Sequence, residues 1–250
     1  MSIDVRPPGG LDAASALPDP TKAIAAPWFP PVTQQIAAIA ERMPDAVAIE
    51  GQQGTMTYAE LWRAGERLAL RLQRAGVESD DRVAIAGVRS SEFVVAMIAV
   101  LRTGAIAVPI DASLPPIRRS AMLEESGVRF VLSIHGAPDD VATYAGSGIT
   151  HIRAADPANG NGAVTRLSSP SGPAYIYFTS GSTGVPKGIL GTHQGLGQFV
   201  SWQRERFAVG PGDRVALLKG ISFDAVLREV FTPLTSGATI CIPPDAYEPD

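Results

Sequence analysis

The sequence predicts an α/β fold in which strands and helices alternate and the strands lie in mostly parallel sheets covered by helices. Two observations carry this. Short apolar runs such as Val83–Val88 and Ala107–Ile110 are separated by amphipathic stretches of helical period, and strands joined through a helix run parallel with right-handed crossovers. In addition, 45% of the 250 residues are hydrophobic, enough to build one large or two modest cores.

Thr33 is placed to cap a first helix that carries Ile36, Ile39, Ala40 and Met43 on one face and stops at Pro44. Val47–Glu50 reads as a strand. Thr57 with Glu60 three residues on forms a capping box, opening a helix with the stripe Leu61, Gly65, Leu68, Leu72 and a stop at Gly76. Val83–Val88 is a strand, Ser91 begins a helix running through Val94, Met97, Ile98 and Leu101, and Gly104 precedes a strand at Ala107–Ile110. Arg118–Ser126 supplies a helix and Phe130–Ser133 a strand. The Gly/Ala/Ser/Asn/Pro-rich segment 135–173 reads as loop with one short strand near Ile149–Ile152, an excursion inside one domain. Beyond it, Gln194–Phe207 is helical, Pro211-Gly212-Asp213 turns, Val215–Leu218 is a strand, Asp224–Leu234 a helix and Thr239–Ile242 a strand.

Composition narrows the function. A net charge of -4 without Lys/Arg clusters argues against nucleic acid or an anionic membrane as main partner. Cys241 stands alone, which excludes a disulfide framework or a cysteine metal site and fits a reducing, cytoplasmic setting. The longest apolar run, Phe93–Leu101, is too short to span a bilayer. Residues 1–31, rich in Pro, Ala and Asp, read as a disordered leader and not as a signal peptide; residues 32–250 form the folded unit.

The most informative stretch is Tyr175–Gly188. Tyr175–Phe178 reads as a buried strand, followed by the hydroxyls of Thr179, Ser180, Ser182 and Thr183, glycines at 181 and 184, and then Lys187. Glycines let successive backbone N–H groups converge on an anion, hydroxyls donate to phosphate oxygens and the lysine supplies charge. A P-loop is excluded, because Pro186 stands where the second glycine belongs and Gly188 follows Lys187. Pro186 and the segment after it favour a second strand, so a loop between two strands, mobile when empty, is expected. The competing reading, a Ser/Gly-rich surface linker, gives no reason for a preceding apolar strand or a closing Pro-Lys-Gly.

Thr179-Ser180-Gly181-Ser182-Thr183-Gly184-Val185-Pro186-Lys187-Gly188 resembles the core signature of the adenylate-forming (AMP-binding) ligases, the superfamily of acyl-CoA synthetases, luciferases and nonribosomal peptide synthetase adenylation domains. Met56–Leu61 and Leu101–Asp111 resemble two earlier core tracts of that family, correctly spaced, so the resemblance runs from about Thr33 onward. It implies the N-terminal portion of the family's large domain. It also implies ATP and Mg²⁺ as cofactors, with Thr179, Ser180, Gly181, Ser182, Thr183, Gly184 and Lys187 on the pyrophosphate side, Lys187 as the catalytic residue and Thr183 as a candidate magnesium contact.

Phe223–Phe231 resembles a further tract of the amino-acid adenylation domains, in which an aspartate faces the substrate's ammonium. Asp224 falls on that position, with Ala225 and Arg228 lining the side-chain pocket. An ammonium taken out of water needs such an anion. The chain departs from the pattern at Arg228, where a neutral residue is usual. Arg228 either pairs with Asp224 four residues earlier on a helix, or enters the pocket to meet an acidic or polar substrate side chain. His193 falls where the family often places a histidine by the acyl-binding wall, or it is a structural histidine at a strand end. Glu229 reads as a helix residue with a structural partner.

The resemblance implies two steps: a carboxylate attacks the α-phosphorus of ATP to give an acyl-adenylate and pyrophosphate, and the acyl group then passes to a thiol, here the phosphopantetheine of a carrier-protein domain. The tracts for adenine, ribose and the attacking carboxylate are not among these residues, so the chain is expected to be the N-terminal part of an amino-acid-activating enzyme of nonribosomal peptide synthesis. Alone it is expected to be inactive, its C-terminal half being a needed partner. The alternatives are part of an acyl- or aryl-CoA ligase, and a non-catalytic module that needs a separately encoded half.

Overall fold

The computed structural model describes residues 29–52, 54–140, 148–156, 169, 171–180 and 186–244. In chain order the elements are α1 (Val32–Arg42), β1 (Val47–Gly51), β2 (Gly54–Thr57), α2 (Tyr58–Arg74), β3 (Arg82–Gly87), α3 (Ser91–Thr103), β4 (Ile106–Asp111), α4 (Pro116–Ser126), β5 (Phe130–Ser133), β6 (Thr150–Arg153), β7 (Pro173–Ser180), β8 (Pro186–Thr192), α5 (His193–Phe207), β9 (Arg214–Ala216), α6 (Val226–Leu234) and β10 (Thr239–Cys241). Among the described residues they make two sheets, ordered β2-β1-β10-β9 and β6-β5-β3-β4-β7-β8. All pairings are parallel except β1 with β2 and β7 with β8, so each sheet carries one antiparallel edge strand.

The larger sheet is covered on both faces, and the period of two along its strands divides the core accordingly. Val83 and Ile85, Ala107, Phe130 and Leu132, Ala174 and Tyr177 join one buried cluster with residues of α1, α2, α3, α5 and α6. The alternate residues Ala84 and Ala86, Val108 and Ile110, Val131 and Ile176 face the other way, against Met122 and Leu123 of α4. Each large apolar side chain removed from water in this way contributes about 1.5–3 kcal/mol. α3 is buried nearly all round, including Phe93, Val94 and every residue from Ala96 to Leu101, as a helix at the centre of the molecule must be.

α2 shows the local rules working as its sequence predicts. Thr57 Oγ1 accepts from the Glu60 amide at 3.2 Å, and Glu60 Oε2 accepts from the Thr57 amide at 2.8 Å. Leu61, Gly65, Leu68 and Leu72 are the buried stripe. A Cβ on Gly65 would lie 2.9 Å from Ile98 Cγ2, so this glycine sets how closely α2 approaches α3.

Four expectations are corrected. Thr33 does not cap α1: the helix begins at Val32 with Pro31 in the cap position and no side-chain cap, and Thr33 is buried in the first turn because the packed face already starts at Val32. β2 is an addition to the expected strands. Its partly exposed Gly-Thr-Met-Thr run lacks an apolar signal, and a tight connection through Gly54 at φ 107 brings it back on β1. β9 is Arg214–Ala216 in place of Val215–Leu218: the Leu217 amide still donates to the Cys241 carbonyl of β10, but the Leu218 amide goes to the Glu229 carboxylate. Finally, α6 starts at Val226, so Asp224 and Ala225 stand in the turn ahead of the helix.

Candidate functional site

β7 and β8 flank the hydroxyl- and glycine-rich tract. Their ladder runs from Pro173 with Thr192 to Thr179 with Lys187 and Ser180 with Pro186. Gly181, Ser182, Thr183, Gly184 and the side chain of Ser180 lie outside the described residues, and the expectation of a mobile loop falls there too. Thr179 and Lys187 are both exposed at the end of the ladder, leaving the lysine charge open to solvent. Close approach governs the rest of β8. A Cβ on Gly191 would lie 2.1 Å from the Tyr175 ring, which therefore occupies the space where a side chain would be.

Tyr175 and Tyr177 meet edge to face, with ring centroids 5.6 Å apart, on the face of β7 toward the larger cluster. Burial pushes both hydroxyls above the usual tyrosine range, and the negative charge of Asp224 adds to the effect on each. Asp224 therefore lies within electrostatic reach of the strand that leads into the tract. The Tyr177 hydroxyl is buried without a hydrogen-bond partner among the described residues.

His193 opens α5 directly after β8, its amide donating to the Gly172 carbonyl at 3.1 Å, with Thr192 as the side-chain cap. His193 is 1% exposed, neither ring nitrogen has a partner among the described residues, and burial lowers its pKa to about 4. It is a neutral ring at neutral pH.

Asp224 is exposed in the turn before α6, Ala225 is half-buried and Arg228 points outward from the first turn of the helix. Among the described residues no ion pair joins Asp224 to Arg228. The helical i, i+4 spacing that would have paired them does not hold, because Asp224 precedes the helix. Glu229 has the structural role expected: its Oε2 accepts from the amides of Leu218 at 2.8 Å and Lys219 at 2.9 Å.

The sequence reading misses Asp111 and Ser222. Asp111, the last residue of β4, accepts from the Ile221 amide at 2.9 Å, and its own amide donates to Ser222 Oγ at 2.8 Å. No local signal betrays a contact spanning 110 positions; the one hint is that Asp111 closes the second family-like tract.

The cavity lined by Ile49, Met56, Arg89, Ser90 and His135 contains none of the candidate residues. Among the described residues no group of three or more His, Cys, Asp or Glu could hold a metal ion, and Thr183 falls outside them. No helix among them is long and apolar enough to cross a membrane.

A doubly covered, mostly parallel sheet, with a hydroxyl- and glycine-rich tract following one of its strands, defines an α/β protein. Residues 36–250 match the AMP-binding enzyme family, and the chain belongs to it. It is 36% identical over 217 residues to the phosphinothricin tripeptide synthetase PhsB of Streptomyces viridochromogenes, covering 85% of this chain and 18% of that protein. The nonribosomal peptide synthetase FmoA3, solved in an AMPPNP-bound form, matches at TM-score 0.79 and 31% identity over 92% of this chain and 24% of its own; it has also been solved with α-methyl-L-serine-AMP. The N-terminal subdomain of Klebsiella oxytoca NpsA matches at TM-score 0.78 and 29% identity over 89% of this chain and 57% of its own. NpsA has been solved with 3-hydroxybenzoyl-AMSN, and as an artificial adenylation–PCP fusion with ThdA. The chain thus spans a small part of either synthetase and little more than half of the subdomain.

Proposed function

We propose that this chain is the N-terminal part of an amino-acid adenylation enzyme that joins an amino acid to AMP, releasing pyrophosphate, for loading onto a carrier-protein thiol in nonribosomal peptide synthesis. The observation that carries the reading is Asp224, an exposed carboxylate in the turn before α6 whose charge acts on Tyr175 and Tyr177 of β7, the strand that runs into the hydroxyl- and glycine-rich tract. The ammonium of an amino acid held there has its carboxylate free to turn toward a nucleotide bound at that tract.

In this reading Thr179, Ser180, Ser182 and Thr183, with the amides of Gly181 and Gly184, donate to the β- and γ-phosphates, and Lys187 neutralises charge as pyrophosphate departs. A substrate carboxylate oxygen forms the new bond to the α-phosphorus while the bond to pyrophosphate breaks. Catalysis is then mostly alignment and electrostatic stabilisation. Magnesium arrives with ATP and offsets phosphate charge when bound. Asp224 fixes the ammonium, Ala225 and Arg228 line the side-chain pocket, and the neutral His193 ring stands by the acyl wall. The adenine, ribose and carboxylate contacts come from the remainder of the adenylation domain. The carrier protein brings the phosphopantetheine thiol, and the lone cysteine, which suits a reducing setting, supports a cytoplasmic enzyme.

A second reading, activation of an aryl or other non-amino acid, has one observation in its favour: Arg228 is outward and unpaired with Asp224, so it is open to a substrate carboxylate or other polar group. Amino-acid-dependent ATP–pyrophosphate exchange by the enzyme carrying this region separates the two. Exchange with amino acids but not with aryl or fatty acids is expected, and exchange driven only by acids lacking an ammonium would overturn the first reading.

A further inference from the structure

The segment Leu218–Ser222 has no ladder of its own, yet its backbone is fixed by three elements remote from one another. Glu229, 7% exposed on α6, accepts from the amides of Leu218 and Lys219. Arg89, just after β3, donates to the Leu218 carbonyl at 2.5 Å. Asp111, 7% exposed at the end of β4, divides its two oxygens. Oδ2 accepts from the Ile221 amide at 2.9 Å, while Oδ1 accepts from the Ser113 amide at 2.9 Å and hydroxyl at 2.7 Å. Ser222 Oγ closes the arrangement, accepting from the Asp111 amide at 2.8 Å and donating to the Pro109 carbonyl at 3.1 Å.

Gly220 belongs to the same clasp: a Cβ there would lie 2.8 Å from Asp111 Oδ2, so no side chain fits between the turn and the carboxylate. Two buried carboxylates, each accepting backbone amides of one short irregular turn, are costly to desolvate, and their bonds are directional. They locate a backbone more precisely than apolar packing would. Two residues past Ser222 stands Asp224.

We propose that Asp111 and Ser222 are positioning residues for substrate selection: by pinning residues 220–222 to the end of β4 they fix where Asp224 presents its carboxylate, and so set affinity for the substrate's ammonium without touching it. This rests on the ammonium role proposed for Asp224. β4 lies beside β7 in the sheet, so the clasp registers the substrate end of the site to the same sheet that carries the phosphate-side tract. A displacement of about 1 Å at such a turn is enough to misplace a bound substrate relative to the reacting phosphate.

The test uses Ser222→Ala, Asp111→Ala and, as control, Ser113→Ala, which removes a hydroxyl from the opposite oxygen of the same carboxylate. In pyrophosphate exchange by the enzyme carrying this region, Ser222→Ala and Asp111→Ala are expected to raise the amino-acid KM by about tenfold, with kcat and the ATP KM within about twofold. Ser113→Ala is expected to leave all three unchanged. Amide hydrogen exchange should show the Ile221 amide exposed in Asp111→Ala and the Asp111 amide exposed in Ser222→Ala, while amides of β3 and α3 keep their protection. If Asp111→Ala does not fold, Ser222→Ala alone decides. An amino-acid KM that stays fixed, or moves only together with the ATP KM, while the freed amide opens (Ile221 in Asp111→Ala, Asp111 in Ser222→Ala) would overturn the proposal. Absence of amino-acid-dependent exchange in the unsubstituted enzyme would instead overturn the function proposed for Asp224, and is thereby told apart.

Discussion

The two sides of the candidate site are held by opposite means. β7 and β8 are joined by a backbone ladder from Pro173 with Thr192 to Ser180 with Pro186, whose bonds do not depend on particular side chains, although Ala174, Ile176 and Tyr177 are also core residues. The 218–222 turn has no such ladder and is held by side chains contributed by β4, α6 and the segment leading into α3. A ladder spreads its stability over many equivalent bonds, whereas a clasp concentrates it in a few groups. Single substitutions at the exposed positions of the ladder should therefore be absorbed, except at a group that meets the reactants, and those in the clasp be felt throughout the turn.

Lys187 is the exception, and its removal gives the largest effect. Lys187→Ala is expected to lower pyrophosphate exchange by about 10²–10³-fold, as loss of one charge-stabilising group does, while the melting temperature stays within about 1 °C because the side chain is exposed. Unchanged exchange would remove the phosphate role from Lys187.

His193 comes next, as a buried polar group at the end of the ladder with no clasp around it. Its folded pKa of about 4 lies below the ordinary value of 6.5, so as the pH falls the unfolded chain takes up the proton first. The stability tied to the neutral ring is complete above pH 6.5 and is lost as the pH falls from there to about 4, by about 3 kcal/mol in total. Unfolding measured across that window should lose this slope in His193→Leu. A variant that keeps the full slope would place its origin at another group.

Removing a clasp member ranks third. Glu229→Ala leaves the amides of Leu218 and Lys219 without their acceptor and should cost about 2 kcal/mol. Denaturant unfolding measures it, and a cost below that of an ordinary surface change would mean that the turn is held without its carboxylate.

How much of this is legible in the sequence follows the same division. The capping box of α2, the stripe from Leu61 to Leu72, the strands of the larger sheet and the pair of strands that flanks the tract all depend on residues close together in the chain, and periodicity or spacing exposes them. A partner for Glu229 is legible in kind, since a buried carboxylate on a helix needs donors. The Asp111–Ile221 and Asp111–Ser222 bonds join residues 110 and 111 positions apart, and a single sequence carries no local trace of such a pairing. Asp224 reads as helical because the apolar period from Val226 extends backward through it; the helix stops short at Ala225, whose backbone is helical but whose side chain offers no cap. The Asp224–Arg228 pair is lost with those two residues. β2 is hidden for the opposite reason: as an edge strand with partly exposed residues it needs no apolar run to form.

The smallest expected effect tests the ladder where it is most crowded without strain. A Cβ on Gly188 would lie 3.2 Å from Ile176 Cγ2 and 3.5 Å from the Phe178 ring, contacts that a shift of a few tenths of an ångström relieves. Gly188 pairs with Phe178 inside the ladder and has no left-handed backbone to lose. Gly188→Ala is therefore expected to change stability by less than about 1 kcal/mol, the reduced freedom of the unfolded chain offsetting part of the crowding. Denaturant unfolding beside Glu229→Ala makes the comparison direct. If Gly188→Ala costs as much as Glu229→Ala, the ladder is no more tolerant than the clasp and the contrast between the two sides fails. If stability holds but exchange falls, the residue after Lys187 acts on the nucleotide through its backbone, and the phosphate side reaches one position further than the hydroxyls and Lys187 alone define.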